Sequence, residues 1–556
     1  MGRQGDPQSP TGRRPKEQPA QERPPVIGYS AYAGLWLLLP LLLESHLLEF
    51  ARLLPFLVPI AGLAPWQWVL TVMVLAWLGF SHPHHLRDLW DVGVALFTGR
   101  RTVLDADRAR KGLKAIPRKA TERFYRATAR AEWDEISTPL RGRRPHPWVS
   151  VDEHTVGHQG GPQMPKAKVP RFGRVRMAHH LFGTFVLGVR RFVGLVVTRA
   201  NKRLCHVAPG QLAEARTHQA QAQPSGLEPH GVSDPVGARP LGPWPSRVSD
   251  PVGAKPQARG IRAILDRGSH QAQAHQALQA LKEQGVTYLA LARRTRRLVA
   301  YWDGLVCNGL LELHPYIHHH DLCLPPEERR DHFFLAVCQT PLEVKEEGGK
   351  KETIWVPTIL IIDETKLFDE DPKARYVAVF FGNLDLPPGL WGQAYPTRQE
   401  QELAHRDLIH ALGFDALPKG YQKVHPEKAL SDPQQETVLD TKDIFLTSWL
   451  RMLAYNRVTQ FLERLPQAYR RLTVVTAARK FLRRPGLLLL ERDYLVVRLD
   501  PFPDSRALTE YLAWVNEQQL AIPWLSGLRL RIEVGHKPAA QTLPPTQWRK
   551  LLSAPT

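Results

Sequence analysis

A chain of 556 residues with 43% hydrophobic and 23% charged residues is long enough to bury a sizeable core and too apolar to be disordered throughout. Its 74 Lys and Arg against 54 Asp and Glu give a formal charge of +20, which favours a polyanionic partner, nucleic acid or an acidic membrane surface, over a cationic one. Four cysteines (Cys205, Cys307, Cys323, Cys338) lack CxxC pairing and secreted-framework spacing, so a disulfide scaffold is excluded and reduced thiols in the cytosol are the default.

Residues 1–27 are polar, Pro-rich and mixed in charge, which predicts a disordered tail rather than a signal peptide. Residues 28–144 read as a helical domain. No Asp, Glu, Lys or Arg lies between Arg52 and Arg87, so the region has the length to span a bilayer. Pro55, Pro59 and Pro65 break it, however, and leave an unbroken block of 15 residues from Trp66 to Phe80, short of the roughly 20 a membrane helix needs. Short helices in a buried core are expected, with a membrane-associated basic protein as the alternative. From Arg100 to Arg144 there are 14 basic residues against six acidic ones, and from His154 to Ala213 there is no acid at all.

Strand signals begin at Trp148–Val156 and continue in a hairpin, Met177–Leu187 with Arg191–Val197. Residues 145–206 thus form the first part of a sheet-bearing core. Residues 207–260, rich in Pro, Gln and Gly and carrying Val-Ser-Asp-Pro-Val-Gly-Ala twice, read as a flexible insertion. The core resumes over 261–297: strand Ile261–Leu265, helix His270–Gln284 and strand Val286–Ala292, followed by the basic cluster Arg293, Arg294, Arg296 and Arg297. Residues 298–394 are expected to be an inserted β-rich module with strands at Phe333–Val337, Thr353–Ile362 and Arg375–Phe381. Core helices return over 395–466, one from Pro396 to Leu412 and one from Ile444 to Leu465. Residues 467–556 read as a small α+β unit, in which Leu528, Leu530, Ile532 and Val534 alternate with polar residues as in a half-buried strand.

Three acids stand out in this layout. Asp152 lies in the apolar run PWVSVDEHTV, Asp266 ends the run IRAILD, and Glu402 follows Arg398 by four residues, one helical turn. In strand geometry Asp152 and His154 share a face while Glu153 points the other way. An acid at the carboxyl end of a strand in a strand–helix–strand unit sits where open α/β sheets place their sites. Carboxylates gathered from two strands and a helix can hold two hard divalent cations, the requirement for cleaving and joining phosphodiesters. Rival residues have bland roles: Asp363 ends an expected inserted strand, Glu400 competes with Glu402, and Trp355 and Trp391 suit core packing as well as base stacking. The run His318-His319-His320-Asp321-Leu-Cys323 invites zinc but lacks a second ligand pair at finger-like spacing.

Strand-Asp152, strand-Asp266-Arg-Gly and Tyr395-x2-Arg398-x3-Glu402 together resemble the DDE transposases of bacterial insertion sequences, in the subgroup with a β-rich insertion between the second Asp and the Glu. The subgroup's signature continues -x6-Lys; here that position is Ile409, and Arg406 is the candidate substitute one turn after Glu402. The resemblance covers about Trp148–Leu412 apart from the repeat-bearing insertion. It implies an α/β fold, an RNase H-like mixed sheet flanked by helices, with a helical N-terminal domain for DNA binding or dimerisation. It implies a cytoplasmic, nucleoid-associated bacterial enzyme of a mobile element, an endonuclease and strand-transferase. Its catalytic and metal-binding residues would be Asp152, Asp266 and Glu402, holding two Mg²⁺ (or Mn²⁺) ions. Tyr395, Arg398, Arg406, Arg293, Arg294, Arg296 and Arg297 would meet phosphate. Partners would be double-stranded DNA, both terminal inverted repeats and target, with a dimer in the synaptic complex and no membrane. A catalytically decayed relative that still binds DNA is the further alternative.

Overall fold

A computed structural model describes residues 26–140, 147–157, 166–169, 173–199, 202–221, 260–266, 271–322, 324–345, 350–416, 422–423 and 439–536. The expected tail up to residue 25, both copies of the heptapeptide and Cys323 lie outside these residues.

One long mixed sheet carries most of the strands. β2 (Trp148–Gly157), β3 (Lys166–Val169), β4 (Arg174–Val186), β5 (Arg191–Arg199), β6 (Ile261–Leu265), β7 (Val286–Leu291), β8 (His314–Pro315), β9 (Phe333–Lys345), β10 (Lys351–Asp363) and β11 (Tyr376–Gly382) all belong to it. β4 is flanked by β5 and β2, both antiparallel to it; β6 then adds parallel to β2, and β7 parallel to β6. The β4–β5 hairpin and the strand–helix–strand unit of 261–291 are those the sequence predicts. β6 and β7 are apolar in nearly every position because helices cover both faces, the usual state of parallel strands.

Beyond β7 the sheet does not stop. β11 pairs antiparallel to β7 (Phe380↔Leu291), then β10, β9 and β8 follow outward. The strands of residues 298–394 therefore extend the core sheet rather than stand apart from it. An open strand edge presents unpaired N–H and C=O groups that a neighbouring strand satisfies. Likewise, residues 207–221, expected within the flexible insertion, belong to a helix at Leu204–Gln221, whose Leu204, Ala208, Leu212 and Ala215 pack under the sheet with Val149, Val151 and Phe182.

On the opposite face lie two helices, Gln399–Leu412 and Lys442–Glu463. The second is buried almost all round, as a helix inside a large core must be. Its polar residues are matched: Asn456 donates to the Phe192 carbonyl and accepts from the Phe192 N–H, and the buried Arg457 guanidinium pairs with Glu132 and, at 2.9 Å, with Glu135. The apolar block of the N-terminal region forms helix Pro65–Trp77, with Trp77 donating to the Ala454 carbonyl at 3.0 Å. Among the described residues no helix is long and apolar enough to cross a membrane.

A pair of two-residue strands, β12 (Gln422–Lys423) and β13 (Leu439–Asp440), precedes the C-terminal unit. There β14 (Gly486–Glu491), β15 (Tyr494–Leu499) and β16 (Arg529–Val534) form a second sheet. Its fourth strand comes from the other end of the chain, because β1 (Val26–Ser30) pairs antiparallel to β14. The segment expected to be helical from residue 28 thus starts as a strand completing the C-terminal sheet.

Candidate active site

Register places the first two acids side by side. β2 and β6 run parallel with Val151 opposite Leu265, so the next residue on each strand is Asp152 and Asp266. In that parity Asp152 shares its face with Ser150 and His154, the face turned toward the Gln399–Leu412 helix; Glu153 turns to the other and lies 3.2 Å from His180.

That helix approaches the sheet closely at Gly183, which pairs with Asp152 across β4. A Cβ at Gly183 would lie 3.2 Å from His405 Nε2 and 3.1 Å from Phe192, tighter than side chains normally pack. Gln401 fixes the approach by donating to the Gly183 carbonyl at 2.7 Å. Preceding the helix, a 3-10 turn at Tyr395–Arg398 delivers the remaining groups. The expected start at Pro396 falls inside this turn, consistent with proline's place at a helix beginning.

Arg398 is the hub. Its Nη1 donates to Asp152 Oδ2 at 3.2 Å, its Nη2 lies 3.7 Å from Asp266 Oδ2, and Nη2 also donates to Glu402 Oε1 one turn along. The three acids that the sequence singled out thus meet at one guanidinium. Asp152 is the most enclosed, its side chain 16% exposed, against 37% for Asp266 and 50% for Glu402. Burial pushes the Asp152 carboxyl up, but His405 and Arg398 outweigh burial and hold it below the ordinary carboxylate range.

Two residues play parts that differ from expectation or were not singled out. The Tyr395 hydroxyl, expected to reach phosphate, instead donates to Asp266 Oδ1 at 3.0 Å. Its pKa is raised by burial and by that carboxylate. His405 is buried with Nδ1 3.8 Å from Asp152 Oδ2, and its ring stacks on Phe192. The signal for His405 was present: Arg398, Glu402 and His405 are i, i+4 and i+7, one helical face. His154 sits beside it, and burial, reinforced by His405, lowers its pKa to about 3.

The rivals are occupied elsewhere. Glu400 accepts the Gly188 N–H at 2.6 Å and so ties the helix to the turn after β4. Asp363 is buried at the end of β10 and caps the following turn through the Thr365 N–H. Trp391 is buried and donates to the Leu386 carbonyl, whereas Trp355 is 56% exposed. The arginine cluster after β7 divides. Arg294 donates to the carbonyls of Lys373 and Tyr376, and Arg297 pairs with Glu343 at 2.5 Å. Arg293, Arg296 and Arg406 are exposed.

The donor set fits hard cations. Three carboxylates against one guanidinium leave excess negative charge, and oxygen ligands on separate rigid elements are what Mg²⁺ or Mn²⁺ prefers. The acids are nevertheless spread around Arg398. Among the described residues, the one set whose candidate ligand atoms all lie within 4.8 Å of each other is His318, His319 and His320, on a turn between β8 and β9.

No known family's sequence pattern matches the chain, and no curated protein is similar to it. Among solved structures, a piggyBac transposase synaptic complex with hairpin DNA, seen by cryo-electron microscopy, is similar with a TM-score of 0.35 at 10% identity over 79% of each chain.

Proposed function

We propose that the protein is a transposase of the DDE type, cutting and joining DNA strands by in-line attack on phosphodiesters. The observation that carries this reading is the meeting of Asp152, Asp266 and Glu402 at Arg398, on two adjacent parallel strands and one helix. The mixed sheet beneath them, an antiparallel trio extended by two parallel strands, supports an RNase H-like core.

Asp152, Asp266 and Glu402 would hold two Mg²⁺ or Mn²⁺ ions, which when bound activate the attacking water or 3′-hydroxyl and stabilise the leaving oxygen. The chain's own residues do the positioning. Tyr395 fixes one oxygen of Asp266, leaving the other toward the centre. Arg398 keeps the three carboxylates from repelling one another, and would be available to a phosphate oxygen if cations took over that role. His405, packed between Phe192 and Asp152, sets the height of the acid helix over the sheet. Two ends of an element, brought together by a dimer, would supply the DNA.

The test is nicking of supercoiled plasmid, and of duplexes carrying the inverted repeats that flank the reading frame, with Mg²⁺ or Mn²⁺ and with chelator. Asp152→Asn, Asp266→Asn and Glu402→Gln should each lower the rate at least about a thousandfold while leaving the fold intact, because each withdraws a metal ligand. An Asp266→Asn protein that nicks at the normal rate ends the reading.

A further inference from the structure

The sheet end that carries the acids also carries a projecting ribbon. β6 stops at Leu265, level with Val151, but β2 and β4 run on together to Gly157 and Ala178. β4 then continues outward without β2 and pairs instead with β3, Lys166↔Met177 to Val169↔Arg174. Paired residues in an antiparallel ladder point to the same side. Lys166 and Lys168 therefore share one face with Val175 and Met177, and Arg174 and Arg176 share the other with Ala167 and Val169. Lys166, Lys168, Arg174 and Arg176 are all exposed, and the sequence from His154 to Ala213 contains no acid. The apolar Val175 is 65% exposed between them.

We infer that the β3–β4 ribbon is an arm that grips the backbone of duplex nucleic acid along the groove leading from the acids. The inference rests on the DNA-cutting reading for its choice of partner, and on three observations for its place. Cations on both faces of a two-stranded ribbon are costly in isolation and are neutralised by a polyanion that surrounds the ribbon, as the walls of a groove do. A B-DNA major groove, about 12 Å wide, admits a two-stranded ribbon. The spacing also agrees. Gly183 is level with Asp152, and Arg174 lies nine residues further out (183 − 174), about 31 Å at roughly 3.4 Å per residue. This is close to the ~34 Å turn of B-DNA, so a duplex lying along β4 presents equivalent backbone to the acids and to the ribbon tip.

The experiment measures binding of the full chain to a 30-base-pair duplex by fluorescence anisotropy across 50–200 mM salt. A K166Q/K168Q/R174Q/R176Q variant should bind at least tenfold more weakly at 100 mM salt. Its slope of log K against log salt should fall by about three to four, near 0.9 per lost phosphate contact. Two companions keep the result interpretable. A charge-keeping K166R/K168R/R174K/R176K variant should bind like the parent, and R471Q/R479Q/R492Q/R506Q, which removes four exposed cations from the C-terminal region, should change the slope little. Equal losses in the two neutralised variants would mean that overall charge, not the ribbon, binds DNA, and would overturn the inference. So would an unchanged slope in the ribbon variant, or a loss confined to anionic lipid vesicles. Asp266→Asn separates the two readings: it should keep full duplex affinity, and if it also keeps nicking while the ribbon variant still loses binding, the chemistry fails and the arm stands.

Discussion

At Arg398 three carboxylates draw on one guanidinium, and what happens when that guanidinium is removed depends on whether a cation can take its place. Arg398→Gln in the presence of chelator leaves the enclosed Asp152 beside Asp266 with His405 as its remaining side-chain partner. Since Asp266 and Glu402 remain partly solvated, the expected loss is about 1–3 kcal/mol, below that of a fully buried pair. Adding Mg²⁺ should recover part of this loss and should raise the melting temperature of the variant more than that of the parent. Identical responses of both proteins to Mg²⁺ in differential scanning fluorimetry would count against a cation site here. His154 offers a second measurement. Its folded pKa, about 3, lies below the ordinary 6.5, so the unfolded chain takes up a proton that the fold refuses. Its contribution is therefore intact above pH 6.5 and is lost as pH falls toward 3, at up to about 1.4 kcal/mol per pH unit. Urea unfolding at pH 7 and pH 5 should show the parent losing up to about 2 kcal/mol more than His154→Asn; equal losses would remove His154 from the account.

The helix bearing Arg398, Glu402 and His405 is held at both ends, and its carboxyl end has one solution. Gly413 closes it in the left-handed conformation (φ 65°), with its N–H to the Leu408 carbonyl, and an added Cβ would sit 2.8 Å from the Ser81 backbone. Gly413→Ala should therefore cost about 1–3 kcal/mol and, through tilt of the helix, slow nicking; unfolding and nicking assays read the two separately. A substitution without either effect would show that this end is free to move. The elements themselves were largely readable. Short apolar runs located β2, β4, β5, β6 and β7, and i, i+4 spacing placed Glu402 over Arg398. Partners across space were not readable. That Asp152 and Asp266 adjoin depends on a parallel register between strands separated by the repeat-bearing segment. That Tyr395 donates to Asp266 depends on where a turn lands. The strands of 298–394 looked like an independent module because their sequence says nothing of the open edge of β7, and that edge is what they pair with.

At the scale of the molecule, the ends are joined. β1 lies on β14, Tyr511 donates to the Leu37 carbonyl, and Trp524 donates to the Leu96 carbonyl, so the N-terminal and C-terminal regions share one core. The same core takes up Trp36, Trp68 and Trp77, which is why the apolar helix Pro65–Trp77 is buried in protein. A chain starting at Trp66 should lose this closure, unfold at a lower temperature and bind a hydrophobic dye such as ANS. A truncated protein that melts like the parent would show the two regions to be separable.

That joining also sets a schedule for synthesis. Val26 meets Leu489, 463 residues later (489 − 26), so at about 5–20 residues per second the opening strand and its leucine-rich follower wait roughly 20–90 seconds for their mate to leave the ribosome. During that interval the greasiest stretch of the nascent polypeptide has nowhere of its own to hide, which makes chaperone supply, more than intrinsic stability, the quantity that should govern how much of this protein a cell can accumulate.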